Sequence, residues 1–179
     1  MRSYAAGGAS PTLGCSTGHQ NGPMNQPKSH TPATDANSGD AIAMLVSDHK
    51  TVKALFDRFG KAADSEKADL VARICSELKV HMALEEEIFY PAVKAALHDH
   101  ELVPEGVVEH EAVKNLIQQV DGVAPGGEDY DARVKVMGEF IDHHAGEEEK
   151  EMFPKARKTN LDMLDLGRRM AARKRELAA

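Results

Sequence analysis

One pattern of histidine and glutamate occurs twice in this chain of 179 residues, and it limits the possible folds more than any other feature. The first copy has DHKTVKALF at 48–56 and HMALE at 81–85, and the second has EHEAVKNLI at 109–117 and HAGEE at 144–148. The two halves of the pattern recur after 61 and 63 residues, and a proline, Pro91 or Pro154, stands ten residues after the second histidine of each copy. An internal repeat of this length predicts two copies of one helix pair.

The apolar residues from Asp40 onward recur with a helical period. This period predicts four long helices: the first at about 41–62, the second at about 67–96, a third that carries Val103 to Val120, and the fourth at about 130–158. A short basic helix is predicted at about 161–177. Four long helices with short connections are typical of an antiparallel up-down four-helix bundle. We therefore predict an all-α fold.

Each predicted helix of the bundle has one stripe that faces the core. The stripes are Leu45, His49, Val52, Phe56 and Phe59; Val71, Ile74, Leu78, His81, Glu85 and Ile88; Val103, Val107, His110, Val113, Ile117 and Val120; and Val134, Met137, Ile141, His144, Glu148 and Met152. Six polar residues thus fall on core positions. Burial of an ionised carboxylate costs several kcal/mol or more unless the group is paired or coordinated.

A metal site explains all six polar residues together. A single histidine on such a stripe is more often a hydrogen-bonded core residue, but six polar residues at repeat-equivalent positions are not explained in this way. The His-x-x-x-Glu spacing places both side chains on one helical face, one turn apart, where they can chelate one ion. The predicted ligands are His49, His81, Glu85, His110, His144 and Glu148.

The ligand types indicate which metal is bound. A structural zinc site normally closes with four ligands, often including cysteine, and neither cysteine of this chain is near the repeated pattern. Four imidazoles and two carboxylates suit two ions with mixed nitrogen and oxygen ligation. Such ligation favours iron over manganese and zinc.

The chain divides into three segments by composition. Residues 1–39 are rich in Gly, Pro, Ser, Thr and Asn, and such a segment buries too little apolar surface to offset its loss of conformational entropy. We predict a disordered tail at 1–39, the bundle at 40–158 and a C-terminal helical extension at 159–179.

Charge and cysteine content exclude several classes of partner. The formal net charge of −7 argues against non-specific binding to nucleic acid. No apolar stretch approaches the ~18 residues of a membrane span. Cys15 and Cys75 do not resemble a disulfide framework, and the segment before Cys15 lacks the apolar stretch of a signal peptide. We expect a cytoplasmic protein with no nucleic-acid or membrane partner.

Residues 40–158 resemble the hemerythrin-like (HHE cation-binding) domain family, in which helices one and three each carry a histidine and helices two and four each carry His-x-x-x-Glu or Asp. The trailing Pro91 and Pro154 agree as well. The resemblance implies a four-helix bundle around a non-heme di-iron centre, with two iron ions joined by an oxo or hydroxo bridge. It also implies that the four histidines are terminal ligands and that Glu85 and Glu148 bridge the ions.

One departure from the oxygen-carrying hemerythrins concerns a fifth histidine, which those proteins place one turn from the histidine of helix three. Here Gly106 and Lys114 stand four residues on either side of His110, and neither can replace it. The residues that could complete the ligand set through a local distortion are Tyr90, Tyr130, Glu147 and Glu149, and the spacing favours none of them. His143 points about 100° away from His144 on a helix and is expected to face solvent.

Two local features have simpler interpretations. The residues next to Glu85 and Glu148 in the acidic clusters 85–87 and 147–151 are expected to lie on a solvated helix face. Pro91 and Pro154 are expected to bend or end their helices just beyond the metal.

Three functions agree with such a centre. The first is binding of dioxygen or a related ligand such as nitric oxide, for sensing, storage or protection. The second is catalase-like decomposition of peroxide, and the third is iron homeostasis, because metal binding at a buried site is coupled to folding. Histidine-rich ligation favours reversible binding over the oxidising chemistry of ferritin-like centres, whose helices carry Glu-x-x-His. We expect a di-iron protein that handles oxygen or its reactive derivatives, with turnover left open.

Overall fold

The computed structural model describes residues 39–178, and the regular elements in this range are all helical. The α-helices are α1 (Ala41–Phe59), α2 (Asp64–Leu84), α3 (Tyr90–Leu97), α4 (Leu102–Val120), α5 (Glu128–Glu147), α6 (Phe153–Ala156) and α7 (Met163–Leu177). Two π-helical turns, Glu85–Phe89 and Glu148–Met152, join α2 to α3 and α5 to α6. The predicted tail, with Cys15, lies outside the described residues except for Gly39. Within residues 39–178, no helix is long and apolar enough to cross a membrane.

Four helical rods form the bundle: α1, α2 with α3, α4, and α5 with α6. The first rod packs against α2 and α5, and α4 packs against the same two helices, so the four rods close around one core. The connections at 60–63, 98–101 and 121–127 are short, which makes consecutive rods antiparallel. The predicted four-helix bundle is confirmed.

Aspartate side chains begin three of the helices. Asp40, Asp99 and Asp162 accept hydrogen bonds from backbone amides in the first turns of α1, α4 and α7, with shortest distances of 2.8, 2.7 and 2.9 Å. Such caps satisfy amides that have no partner within their own helix. In the connection between α4 and α5, Gly122 and Gly127 have φ angles of 70° and 80°, which glycine adopts most readily.

The apolar core consists of two clusters with a polar layer between them. Buried members of one cluster include Val52, Leu55, Ile74, Leu78, Val113, Ile117, Val134 and Met137. Buried members of the other include Leu45, Leu84, Phe89, Tyr90, Val93, Met152, Phe153 and Met170. Along α1, His49 lies between Leu45 of the second cluster and Val52 of the first. Apolar side chains therefore cover the polar layer from both ends of the bundle.

The two π turns explain how helices continue through Pro91 and Pro154, where a bend or an end was expected. In each turn the helix gains a residue, and the amides of Tyr90 and Phe153 bond to the carbonyls five residues earlier. Each proline then falls in the first turn of the next α-helix, where its missing N–H costs least.

The extra residue also changes which side chains face the core. In the rod that joins α2 and α3, Tyr90 and Val93 are buried, although an uninterrupted α-helix would place them about 140° and about 80° from Glu85 around the axis. The predicted core residue Ile88 is only half-buried, and Phe89, one turn after Glu85, is buried instead. Two other predicted core residues are also displaced. Val107 is exposed and Gly106 buried in its place, while Phe56 is half-buried beside a buried Leu55.

Helix α7 packs against α1 and α2 through Leu166 and Met170, which are buried. Two basic residues of this helix pair with acidic residues of the bundle. The Arg173 guanidinium donates two hydrogen bonds to Glu87, at 2.7 and 3.1 Å. The Lys174 ammonium donates to Asp48 at 2.6 Å.

Candidate metal centre

The six residues predicted as ligands meet in the polar layer between the two apolar clusters. His49, His81, Glu85, His110, His144 and Glu148 are each 7% exposed or less. Among the described residues they are the whole set of buried polar or charged side chains. The helical period and the repeat therefore located every such residue in this part of the chain.

The two carboxylates lie between histidines of different repeats. The Oε2 atom of Glu85 is 3.2 Å from Nε2 of His81 and 3.2 Å from Nε2 of His110. The Oε2 atom of Glu148 is 3.3 Å from Nε2 of His49 and 3.7 Å from Nε2 of His144. Each carboxylate is thus close to one imidazole from each copy of the repeat.

The donor atoms form two overlapping groups that share Glu85. One group contains His49, His81, Glu85 and Glu148, and the other contains Glu85, His110 and His144. Within each group the donor atoms lie within 4.8 Å of one another. Each of the two groups has the donor atoms to hold a metal ion.

Several buried side-chain atoms in this layer have no hydrogen-bond partner, and they test whether a metal fits there. Nε2 of His49, both carboxylate oxygens of Glu85 and Oε2 of Glu148 are buried and make no hydrogen bond within the described structure. A buried polar atom without a partner is costly, and a coordinated cation would satisfy all four atoms at once. The residues present therefore fit a bound metal.

The protonation of the histidines reflects the crowding of charge. Burial lowers the pKa of His81 to about 3. Burial also disfavours protonation of His144, but the hydrogen bond to Glu109 and the nearby Glu85 raise its pKa to about 11. In the same way, burial opposes protonation of His49, whereas Glu148 raises its pKa. Protons on imidazoles thus balance part of the carboxylate charge in the absence of a metal.

The two carboxylates differ despite their equivalent positions in the repeat. Burial opposes ionisation of Glu85, but the surrounding imidazoles of His81, His110 and His144 together hold its pKa well below the usual range. Burial and the negative charge of Glu85 raise the pKa of Glu148. Because both carboxylates share one buried layer, the first to ionise hinders the second.

Three of the four histidines have an acidic side chain hydrogen-bonded to their outer nitrogen. Nδ1 of His110 bonds to Glu86 at 2.8 Å, and Nδ1 of His49 bonds to Glu149 at 2.9 Å. Because a carboxylate can only accept, each Nδ1 carries the proton and each Nε2 is left free toward the centre. The side chain of Glu149 is 41% exposed, as predicted for a solvated helix face, whereas that of Glu86 is half-buried. The hydrogen bonds of these two glutamates to histidines were not predicted.

One of the other two histidines has the same arrangement. Nδ1 of His144 donates to Glu109 at 2.6 Å, whereas Nδ1 of His81 lies 4.0 Å from a carboxylate oxygen of Asp48 and makes no hydrogen bond. Asp48 and Glu109 directly precede the first histidine of each repeat, just as Glu86 directly follows the ligand glutamate of its repeat. The sequence analysis missed these outer carboxylates, and their equivalence in the two repeats was the signal that could have revealed them.

Tyr90 is the residue that enters the polar layer in the absence of a fifth histidine. Its hydroxyl donates to Oε1 of Glu148 at 3.0 Å and lies 3.5 and 3.4 Å from Nε2 of His110 and His144. A Cβ atom at Gly106 would be 2.8 Å from this hydroxyl, so the lack of a side chain there makes room for the tyrosine. Burial and the charges of Glu85 and Glu148 raise the pKa of Tyr90, which keeps it a phenol.

The other residues that could complete the ligand set lie elsewhere. Tyr130 belongs to the apolar cluster that contains Val52, and Glu149 bonds to the outer nitrogen of His49. Glu147 and His143 lie near the surface, where the imidazole is 60% exposed as its helical position predicts. Among the four residues that could have completed the ligand set, Tyr90 is the one whose side chain lies in the polar layer.

Two known proteins are similar to this chain in sequence. A DNA nickase of Nostoc sp. (strain PCC 7120) is 28% identical over 120 residues, which cover 66% of this chain but only 33% of that protein. The Mycobacterium tuberculosis protein Rv2633c is 26% identical over 143 residues, which cover 77% of this chain and 87% of that protein.

A solved structure shows the same fold. It is a hemerythrin HHE cation binding domain-containing protein from Mycobacterium kansasii, a homolog of Rv2633c. It superimposes with a TM-score of 0.67 at 25% identity and covers 78% of this chain and 87% of its own. Residues 40–156 also match the family model of the hemerythrin HHE cation binding domain. The chain therefore belongs to the hemerythrin HHE cation-binding domain family, and its buried histidines and glutamates form a cluster able to bind metal.

Proposed function

We propose that this protein holds two iron ions in the polar layer and binds dioxygen or a related small ligand, such as nitric oxide, at that centre. The observation that carries the proposal is the convergence of four Nε2 atoms and two carboxylates in a layer where several of these atoms have no hydrogen-bond partner. Imidazole and carboxylate donors together favour iron.

Each ligand has a role that its position supports. The four histidines would be terminal ligands, and Glu85 and Glu148 would bridge the ions, because each carboxylate lies between imidazoles of both repeats. Bound iron would supply open coordination positions for the small ligand and electrons for its reduction. We place this function in the cytoplasm, as the cysteine content predicts.

The surrounding residues prepare the site before metal arrives. Outer carboxylates such as Glu86 and Glu109 fix the tautomer and orientation of the histidines, which reduces the entropy lost on coordination. The two apolar clusters exclude water from the layer. Tyr90 offers a buried hydroxyl that donates to Glu148.

The first experiment is iron stoichiometry combined with the visible spectrum of the reduced protein before and after oxygen is added. Two irons per chain and a spectral change that reverses when oxygen is removed would support binding, sensing or storage. One iron or fewer at saturation would refute a di-iron centre. Irreversible oxidation without a stable adduct would refute reversible oxygen binding.

A second candidate function, decomposition of peroxide, is favoured by the position of Tyr90. Turnover of peroxide requires protons to be given and taken beside the ligand, and Tyr90 with Glu148 forms a buried hydrogen-bonded pair at 3.0 Å within the layer. Oxygen evolution from hydrogen peroxide measures this activity directly. If a Tyr90→Phe variant with unchanged iron content evolved oxygen as fast as the wild type, the phenol would have no such role.

A further inference from the structure

A second group of possible metal ligands lies outside the polar layer, where α4 packs against α5. Nε2 of His143 is 3.5 Å from Oε1 of Glu109 and 3.4 Å from Oε1 of Glu147. One donor atom from each of the three side chains lies within 4.8 Å of the others. His143 is mostly exposed and Glu109 mostly buried, so the group extends from the surface inward.

This outer group is connected to the buried layer in two ways. The second oxygen of Glu109, Oε2, bonds to Nδ1 of His144 at 2.6 Å. Glu109 and Glu147 also line a narrow gap together with His144 and Glu148. The gap encloses about 10 Å³, which is roughly the space of one water molecule or one bare cation.

Glu148, a predicted ligand of the buried layer, stands at the inner end of the gap. Its side chain is 2% exposed, it lines the same gap, and its Oε2 atom has no hydrogen-bond partner among the described residues. A cation held by Glu109 and Glu147 would therefore have an unsatisfied carboxylate oxygen as its next neighbour inward.

The other repeat serves as an internal comparison. The residues equivalent to His143 and Glu147 are Val80 and Leu84, which cannot bind a cation and are half-buried and buried. The residue equivalent to Glu109 is Asp48, whose Oδ1 atom accepts a hydrogen bond from the ammonium of Lys174 at 2.6 Å. In the first repeat the Lys174 ammonium thus lies beside the outer carboxylate. In the second repeat the imidazole of His143 and the carboxylate of Glu147 lie beside it instead.

We propose that Glu109, His143 and Glu147 form an outer site for a divalent transition-metal ion, and that ions captured there pass inward to the buried layer. This inference rests on the proposed metal centre. One imidazole with two carboxylates offers the mixed ligation that first-row divalent ions accept, and its three ligands leave positions open for exchange. Negative charge at a surface cleft also raises the local concentration of cations and the rate of their capture.

Uptake of Co²⁺ by the full-length metal-free protein, followed through its d–d absorption, tests the proposal. We expect His143→Ala and Glu147→Gln to slow uptake by about tenfold, because the capture step is lost while the buried ligands remain. After gel filtration has removed exchangeable ions, the retained cobalt should equal that of the wild type, and so should the melting temperature. Glu139→Gln is the matched control, because Glu139 is an exposed glutamate on the same helix α5 that pairs with Lys135.

Each outcome of this experiment distinguishes the outer site from the buried centre. Wild-type rates in both variants would overturn the outer site, and so would equal slowing by Glu139→Gln, which would show an effect of net charge alone. Loss of the cobalt that the wild type retains after gel filtration would, in the His143 variant, place His143 in the buried centre instead. If the wild type itself bound no cobalt, the proposed metal centre would fail, independently of the outer site.

A direct measurement of the outer site complements the kinetics. Mn²⁺ added to the protein with its buried centre already loaded should broaden the ring resonances of His143 at low equivalents, and Glu147→Gln should abolish this broadening. Broadening that is spread evenly over other surface acidic residues would contradict a defined site.

Discussion

Replacement of Gly106 by alanine tests how closely α4 approaches the polar layer. The added Cβ would lie 2.8 Å from the Tyr90 hydroxyl and 3.3 Å from its Cζ atom, and the first distance is about 0.6 Å shorter than ordinary contact. Tyr90 is 2% exposed and bonded to Glu148, so it cannot move into solvent to relieve the clash. We therefore expect the tyrosine to shift and its hydrogen bond to break.

The size of the effect follows from three contributions. Overpacking of a core costs about 1–3 kcal/mol, loss of a hydrogen bond to a charged group costs about 1.5–3 kcal/mol, and alanine gains about 1 kcal/mol over glycine within a helix. Gly106→Ala should therefore lower the free energy of unfolding of the metal-free protein by about 1.5–5 kcal/mol.

A double-mutant cycle with Tyr90→Phe isolates the contact. Without the hydroxyl the closest clash disappears, so Gly106→Ala should cost little in the Tyr90→Phe background, or even stabilise the protein by up to about 1 kcal/mol through helix propensity. Urea unfolding of the four proteins measures the free energies. An equal cost of Gly106→Ala in both backgrounds would refute the argument, because it would show that the hydroxyl does not define the space at Gly106.

Three further predictions concern the metal. His81→Ala or Glu148→Ala should remove most of the iron that survives gel filtration, whereas His143→Ala should leave this tightly held iron unchanged; elemental analysis that found equal loss in all three variants would contradict the assignment of the buried ligands. Deletion of residues 1–38 should change neither metal content nor helicity by circular dichroism, because the ligands and the bundle lie beyond the deletion; loss of either would show that this segment is structural. Since the pKa of His144 is raised to about 11 in the metal-free protein and coordination needs its neutral form, metal binding at neutral pH must displace that proton. The measured affinity should thus rise between about pH 6 and 8, by about tenfold per pH unit for each proton displaced, and an affinity independent of pH would exclude this competition.

The repeat and the helical period were sufficient to predict the bundle and the residues of its polar layer. Both properties are local: spacings of three and four residues decide which side chains share a helix face, and a polar residue on an apolar face can be recognised without knowledge of its neighbours. The same reasoning predicted the outward position of His143, which is a matter of helix geometry alone.

Cross-helix partners could not be predicted in this way. Glu86 was expected to be solvated because it follows Glu85 by one residue and so points to the side of its helix. Its role depends on the neighbouring rod, which brings Nδ1 of His110 within 2.8 Å. The distance between side chains on two helices depends on crossing geometry and rotation, which no single-helix pattern contains.

Tyr90 shows the combined effect of a local signal and a tertiary contact. Pro91 is visible in the sequence, but the helix accommodates it with a π turn instead of ending, and the extra residue shifts the following side chains around the helix axis. The Tyr90 hydroxyl then reaches the polar layer because α4 presents Gly106 at the point of closest approach.

The sequence alone determined the bundle and the positions of the six buried polar residues, since helical periodicity is a local property. Only the packing of the rods decided which carboxylates orient the histidines and that a tyrosine enters the layer, because these contacts join residues that are distant in the chain.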